Sequence, residues 1–454
     1  MSESMGRVER TDGVERTNRV ETMENGETMD GLQQEVTALA ADLVRIDSVN
    51  PGLVPGGAGE SQIADFVTVW LSARGFECTR VEPTPGRPSV LAVARGAGSD
   101  AATGGDDGHP CGRRQAAVLG TSGDGTGDGL GGVMLNGHLD TVSLESYDGN
   151  GLDPVVADGR LHGRGIYDMK AGLAAMMVAA ARVAARPHRR DIVLALVADE
   201  EDVSAGTEQV LAHMRERGLQ VATALVAEPT NEDVVVAHRG FAWARVRIDG
   251  VAAHGSRSDL GVDPIVKAGR LLTGIGDLQD RLAAGEADPL VGTGSVHASI
   301  ITGGVEASSY ADACTITIER RTRPGEDAAT FEAELREILD PIARDDGAFT
   351  YDLDVFFERP PFATAEGSAV VAALTDACRE AGVGAGTAEG GEPGPVIRGE
   401  QFWTDCALLA DAGIDAVLFG PAGEGAHAAS EWVDLDSLER TTRAIDGTVA
   451  RLVE

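Results

Sequence analysis

The run Val133-Met134-Leu135-Asn136-Gly137-His138-Leu139-Asp140 decides the fold. Three consecutive apolar residues lead through Asn136-Gly137 to a histidine and an aspartate. The pattern returns twice: Ile192 to Val197 runs into Asp199-Glu200-Glu201, and Ala222 to Val226 runs into Glu228-Pro229-Thr230. Between these runs lie stretches of helical character, Asp168 to Ala185, rich in Ala and Met, and about Thr207 to Arg217. Short continuous apolar strands separated by helices indicate an α/β architecture with a mostly parallel sheet covered on both faces. In such sheets ligands sit beyond the carboxyl ends of the strands. Three stretches far apart in sequence therefore converge on one crevice lined by His and carboxylate groups.

Working outward, Leu32 to Ile46 and Ser61 to Arg74 have helical apolar spacing, and Ser89 to Ala94 reads as a buried strand. Residues 1–30 read as a disordered acidic tail. Residues 96–132, thick with Gly, Asp, Ser and Thr, read as a flexible surface insertion with one apolar patch, Ala116 to Leu119. His109 and Cys111 lie in it, and nothing in their spacing singles them out as metal ligands. The first part of the main domain thus spans 31–237. From about His238 the texture changes. Phe241 to Ile248 alternates like a half-exposed strand, Pro264 to Leu272 is helical, and Ser295 to Ile301 and Ala313 to Glu319 are strands. This set indicates a smaller α+β domain over 238–352, inserted in the first. The main domain resumes over 353–454, with helices at Ala369 to Glu380 and Leu435 to Leu452 and a strand at Ala416 to Phe419.

Charge and composition narrow the function classes. The 454 residues carry 73 acidic against 38 basic groups, a net charge of −35, and only two lysines, Lys170 and Lys267. Such a field repels nucleic acid and anionic membranes, so neither is an expected partner. It also suits a solvation shell in concentrated salt, where the screening length falls to about 3 Å at 1 M and self-repulsion fades. A salt-loving source is the expectation. No apolar run reaches the length of a membrane span and the first thirty residues offer no signal-peptide core, so a cytoplasmic location is expected. The five cysteines (Cys78, Cys111, Cys314, Cys378, Cys406) are scattered and form no CxxC pair, the pattern of reduced structural thiols.

The strand ends carry the chemistry. In His138-Leu139-Asp140 an extended backbone places both polar side chains on one side. His138 can then bind a metal while Asp140 accepts a hydrogen bond from the other ring nitrogen. Asp168 follows glycines that allow close backbone approach, in Gly163-Arg164-Gly165-Ile166-Tyr167-Asp168-Met169-Lys170. Its two oxygens can bridge two cations, although a helix N-cap is an equal reading of this stretch alone. The adjacent carboxylates Glu200 and Glu201 repel each other unless a cation lies near, and one can ligate while the other serves as general base. Glu228 ends the next strand. A late histidine, His427, sits in the Gly-rich loop Gly420 to His427, with Glu431 four residues on. His138, Asp168, Glu201, Glu228 and His427 together are a donor set for two zinc ions about 3.5–4 Å apart that share a carboxylate and a water.

With these residues in view, the sequence resembles the co-catalytic zinc metallopeptidases that include acetylornithine deacetylase, succinyl-diaminopimelate desuccinylase, aminoacylase and glutamate carboxypeptidase. The resemblance covers roughly residues 32–454 outside the Gly-rich insertion. It rests on Gly137 to Asp140, Gly163 to Lys170, Glu200-Glu201, Glu228-Pro229-Thr230, Ala253-His254-Gly255-Ser256, Arg321 to Glu326, Thr404-Asp405 and Ala426-His427. It implies a zinc-peptidase-like catalytic domain and an inserted dimerisation lid, hence a homodimer. It implies that Asp168 bridges two zinc ions, for which cobalt or manganese can substitute. His138 and Glu228 would sit on one ion, Glu201 and His427 on the other. It further implies Glu200 as base, Asp140 as support of His138, and a cis peptide at Asp168–Met169. His254 would reach the partner's site and polarise the scissile carbonyl, and Arg321 would pair with a substrate carboxylate. The family often has Asn four residues after a Gly-Gly pair, contacting substrate, where this chain has Ser308 after Gly303-Gly304. Its aminopeptidases and dipeptidases tend to carry Asp at the position of Glu228, its deacylases and carboxypeptidases Glu. The expectation is hydrolysis of the amide bond of an N-acyl amino acid. A glutamate-type carboxypeptidase or dipeptidase is the second reading, and an inactive metal-binding relative the third.

Overall fold

A computed structural model of the protein describes residues 31–98, 131–364, 367–384 and 394–454. The expected tail, most of the expected insertion, His109, Cys111 and the Ala116 to Leu119 patch lie outside the described residues.

The chain opens with α1 (Gly31–Val44), α2 (Ser61–Ser72), β1 (Glu77–Val81), β2 (Ser89–Ala94), β3 (Gly132–His138), β4 (Val155–Ala157) and β5 (Arg160–His162). It continues with α3 (Ala171–Ala184), β6 (Ile192–Val197), α4 (Ala205–Arg217), β7 (Val221–Val226) and β8 (Val234–His238). Then come β9 (Gly240–Asp249), α5 (Pro264–Ala284), β10 (Ser295–Gly303), β11 (Ala313–Thr322), α6 (Ala328–Asp345) and β12 (Tyr351–Arg359). The last stretch holds β13 (Phe362–Ala363), α7 (Ala369–Glu380), β14 (Ile397–Glu400), α8 (Cys406–Asp411), β15 (Asp415–Leu418), β16 (Gly423–Glu424), β17 (Trp432–Asp434) and α9 (Leu435–Val453).

The main sheet runs β1-β2-β6-β3-β7-β15-β8-β13, with β14 beside β8. Its centre, β6-β3-β7-β15, is parallel, and β1, β2, β8 and β13 flank it with antiparallel pairings. The central strands are mostly apolar and buried because both faces are covered. Val133 and Leu135 of β3 join one core with α1, α3 and α9, while Met134 points into a second core with α4 and α8. Ile192, Leu194 and Leu196 of β6 face the first core, and Val193, Ala195 and Val197 the second. That alternation is the two-residue period of a strand. Helix α3 is buried almost all round, consistent with its Ala-rich sequence. At Gly172 a Cβ would come within 1.9 Å of the Ala227 carbonyl oxygen, so only glycine lets α3 approach the end of β7.

The second sheet, order β10-β11-β9-β12, is antiparallel, with a core formed with α5 and α6. Strand β11 lies between β9 and β10, which makes a split βαβ unit. This sheet extends beyond the expected boundary at 352. Strand β12 pairs with β9 as far as Arg359, and its polar residues mark a half-exposed edge strand rather than a return to the main domain. A small third sheet, β16-β17-β5-β4, places the segment after His427 beside the segment before Asp168. Among the described residues no helix is long and apolar enough to cross a membrane, and Cys78, Cys314, Cys378 and Cys406 are free thiols.

Candidate active site

His138 is the last residue of β3, Glu200 and Glu201 follow β6, and Glu228 follows β7. Parallel strands all deliver their carboxyl ends to one edge, so the three meet. Asp168 arrives from a wide turn, Ile166–Lys170, where it (φ −118°, ψ 94°) and Met169 are non-helical. The helix expected from Asp168 begins only at Ala171, and Asp168 is not its N-cap. Its peptide bond to Met169 is cis. His427 comes from the loop between β16 and β17.

The five expected donors converge. His138 Nε2 lies 3.0 Å from Asp168 Oδ1 and 3.7 Å from Glu228 Oε1. His427 Nε2 lies 3.3 Å from Asp168 Oδ2 and 3.0 Å from Glu201 Oε2. Asp168 thus turns one oxygen to each histidine. Donor atoms of His138, Glu200 and Glu228 lie within 4.8 Å of one another, and so do those of His138, Asp168 and Glu201.

The cluster sets four carboxylates, Asp168, Glu200, Glu201 and Glu228, against two histidines, His138 and His427. Burial pushes the Glu200 and Glu228 carboxyls far above the usual range, with His138 opposing. Burial and the Asp168 charge push Glu201 up to about 7. Burial also raises Asp168, but hydrogen bonds and charge from His138 and His427 outweigh it and hold the group well below the carboxylate range. His427 is raised to about 10 by its hydrogen bonds to Asp168 and Glu201. Among the described residues Glu201 Oε1 is buried with no hydrogen-bond partner. A buried, partnerless carboxylate oxygen beside two histidines and two further carboxylates fits a cation pair of the zinc type, which takes nitrogen and oxygen donors.

One expected contact differs. His138 Nδ1 meets the backbone carbonyl of Asp140 at 2.9 Å, whereas the nearer Asp140 carboxylate oxygen is 3.7 Å away. β3 ends at His138, so residues 138 and 140 do not continue as one extended pair. The Asp140 carboxylate instead accepts the backbone N–H of Glu200 and of Glu201, each at 3.2 Å, and Asn50 Nδ2 at 2.7 Å. It therefore holds the turn that carries both glutamates. Asn50 also donates to Asp199, which Arg87 joins to Glu60. Asp405, buried beside the glutamates and pushed up to about 7 by burial, accepts from Thr207.

His254, Ser308 and Arg321 lie in the inserted domain. Exposed His254 meets Ser256 Oγ through Nδ1 at 2.8 Å. Exposed Ser308 receives the Gly255 N–H at its carbonyl, 2.6 Å. Arg321 donates to Glu319 at 2.7 Å and lies over Phe241. No hydrogen bond or ion pair among the described residues links these three to the histidine–carboxylate cluster.

The chain belongs to peptidase family M20/M25/M40, whose sequence profile matches residues 134–451, and it is an enzyme acting on amides. It is 28% identical over 333 residues to an acetylornithine deacetylase of Myxococcus xanthus, covering 72% of this chain and 81% of that one. It is 29% identical over 336 residues to a succinyl-diaminopimelate desuccinylase of Azoarcus sp. (strain BH72), covering 71% and 83%. Among solved structures it resembles the aminopeptidase PepT of Bacillus cereus, with a TM-score of 0.69, 20% identity and 93% and 99% coverage.

Proposed function

We propose that the chain is a two-zinc deacylase that hydrolyses the amide bond of an N-acyl amino acid. The observation that carries the reading is the division of Asp168, Oδ1 toward His138 and Oδ2 toward His427. His138 and Glu228 would hold one ion, Glu201 and His427 the other, and Asp168 both. When bound, the pair of ions acidifies a water and polarises the scissile carbonyl. Glu200 takes the proton of the attacking water and passes it to the nitrogen of the departing amine as the C–N bond breaks. Asp140 fixes Glu200 through the backbone amides of the glutamate turn. Arg321 orients a substrate α-carboxylate, where a planar guanidinium suits two oxygens, and Ser308 contacts the substrate at the position where the family often has Asn. Glu228, in place of Asp, favours N-acyl substrates with a free carboxylate, as do the names of the two curated relatives.

The inserted domain serves as a dimerisation lid in this reading, with His254 acting in the partner's site. Two features support that part. β10 is an edge strand with exposed Ile300 and Ile301, and Val266 on the neighbouring helix is 73% exposed. An apolar edge strand of this kind pairs with a further strand. The compartment proposed is the cytoplasm, and the acidic surface is read as an adaptation to salt.

The test is a substrate panel on zinc-loaded protein: N-acetylornithine and N-succinyl-diaminopimelate beside dipeptides with a free amino group. The reading expects the higher kcat/KM for N-acyl substrates. The reverse order moves the assignment to a glutamate-type carboxypeptidase or dipeptidase, and failure to cleave any of them overturns both.

A further inference from the structure

His427 is the least supported of the five donors. Its side chain is 53% exposed, and its ring is held by Asp168 and Glu201 alone among the described residues. Its backbone is left-handed, φ 61°, a state that a non-glycine residue keeps only where its surroundings hold it. His138, by contrast, closes a central strand, is buried, and has its second ring nitrogen bonded to Asp140.

What surrounds the His427 loop is a buried ion pair outside the donor set. Glu431 and Arg164 are each 1% exposed and meet at 2.9 Å. Glu431 Oε1 accepts the backbone N–H of Tyr167 at 2.9 Å and of Asp168 at 3.1 Å. Its Oε2 accepts Gly165 N–H at 2.8 Å besides Arg164 Nη1. Three amides of the turn that carries Asp168 thus close on one carboxylate. Gly165 sits there at φ 74°, which a side chain would strain. Arg164 spends its other donors on Ser143 O at 3.1 Å, Ser146 Oγ at 2.9 Å and Ala428 O at 2.9 Å. Ala428 follows His427 directly, so the guanidinium grips the loop next to the histidine while the carboxylate grips the turn next to the aspartate.

We propose that Glu431 and Arg164 are one positioning pair: it sets the separation of Asp168 and His427, and so governs capture of the second cation (His427, Glu201) more than the first (His138, Glu228). The inference rests on the two-cation reading above. Burying two charges is costly and does not by itself favour the fold. Here each charge instead satisfies the backbone of a different donor-bearing loop, so neither residue is replaceable alone.

The experiment measures cation stoichiometry and affinity in Glu431→Gln, Glu431→Asp, Arg164→Lys and the double variant Glu431→Gln/Arg164→Lys. Zinc would be read by equilibrium dialysis and cobalt by its absorption spectrum, with the melting temperature of the metal-free form alongside. Wild type is expected to bind two ions per chain. Each single variant is expected to keep the first and lose about 10–100-fold in affinity for the second, the usual cost of removing support from metal ligands. His427→Ala should give the same one-ion spectrum, and the double variant should be no worse than the singles. Glu431→Asp keeps the charge with a shorter reach, so it carries the test if Glu431→Gln does not fold. Folded variants that bind two ions with wild-type affinity, whatever their melting temperature, overturn the pair's role. Wild-type protein that binds fewer than two overturns instead the reading beneath it.

Discussion

Asn50 donates its side-chain amide to the Asp140 carboxylate at 2.7 Å, and both residues are fully buried. The same Nδ2 reaches Asp199 at 3.2 Å. One neutral amide therefore lies between two carboxylates, behind the turn that carries Glu200 and Glu201. Asn50→Ala leaves a buried carboxylate short of a donor, a loss of about 1–3 kcal/mol, with a fall in kcat/KM of about 10–100-fold as the glutamate turn relaxes. Asn50→Asp should be worse on both counts, because it sets a third carboxylate against the first two. Urea unfolding and steady-state kinetics check this, and wild-type kinetics in Asn50→Ala would refute the support assigned to it.

Glu200 shares a donor-distance cluster with His138 and Glu228, and burial raises its carboxyl. As the proposed base it would cycle one proton. Glu200→Gln keeps the volume and removes that capacity, so kcat should drop by about 10²–10⁴-fold. Metal analysis should find the same zinc content as wild type. The metal-free variant should melt no lower than wild type, since an uncharged amide replaces a carboxyl that burial already disfavours in its charged form. Turnover at the wild-type rate would remove Glu200 from the role.

Much of this centre was legible because its donors end strands whose apolar runs announce them: His138, Glu201 and Glu228 need only the rule that parallel strands share an edge. Asp140 was legible as a site residue but not in its contact, since the backbone amides it holds depend on a turn with Asp199 at φ 68°, which no residue type there announces. Asn50 precedes Pro51-Gly52, the pattern of an ordinary turn, and its contact with Asp140 lies 90 residues away in sequence. Glu431 was noted only for its place after His427. Its partners Arg164 and the Gly165 to Asp168 amides are far away in sequence, and β5 pairing with β17 brings them together. Helix α6 carries its own sequence signal: Asp327 and Thr330 form a capping box ahead of Phe331, Leu335, Leu339 and Ile342 at helical spacing.

Chelation should destabilise the protein, and more so as pH rises. In the metal-free state Glu201 is raised from 4.5 to about 7 by burial and the Asp168 charge. A group raised in the folded state contributes fully below its unfolded value and loses that contribution as pH climbs through the folded one. His427, raised from 6.5 to about 10, acts in the same direction over a higher window. Asp168 is lowered, so its contribution is already complete above 3.8 and stays constant there. The metal-free form should therefore melt lower at pH 8 than at pH 5. Cation binding selects deprotonated ligands and runs the opposite way. At a hundredfold excess over Kd each ion adds about 2.7 kcal/mol. Calorimetry with and without EDTA should show a gap that widens from pH 5 to 8, and a constant gap would contradict the buried-carboxyl argument.

His238 offers a second pH dependence, independent of the metal centre. It closes β8, two residues before the chain enters the four-stranded sheet at Gly240. Its Nδ1 meets the Arg239 carbonyl at 2.9 Å, its Nε2 accepts the Thr404 N–H at 3.3 Å, and its ring packs by Phe362 and Trp403. Full burial lowers its pKa from 6.5 to about 4. A histidine held neutral contributes fully above 6.5, and acid removes that contribution as pH falls toward 4. That lowering corresponds to about 3 kcal/mol. Protonation would also turn Nε2 from acceptor to donor and set it against the Thr404 amide. His238→Gln should be less stable than wild type at pH 7.5, and the gap between the two should narrow on acidification to pH 4.5. Denaturant unfolding in EDTA at both values reads the two slopes, and the difference between them cancels the titrations both proteins share. Equal slopes would mean that His238 titrates normally and that the junction of the two sheets is not the acid-sensitive point.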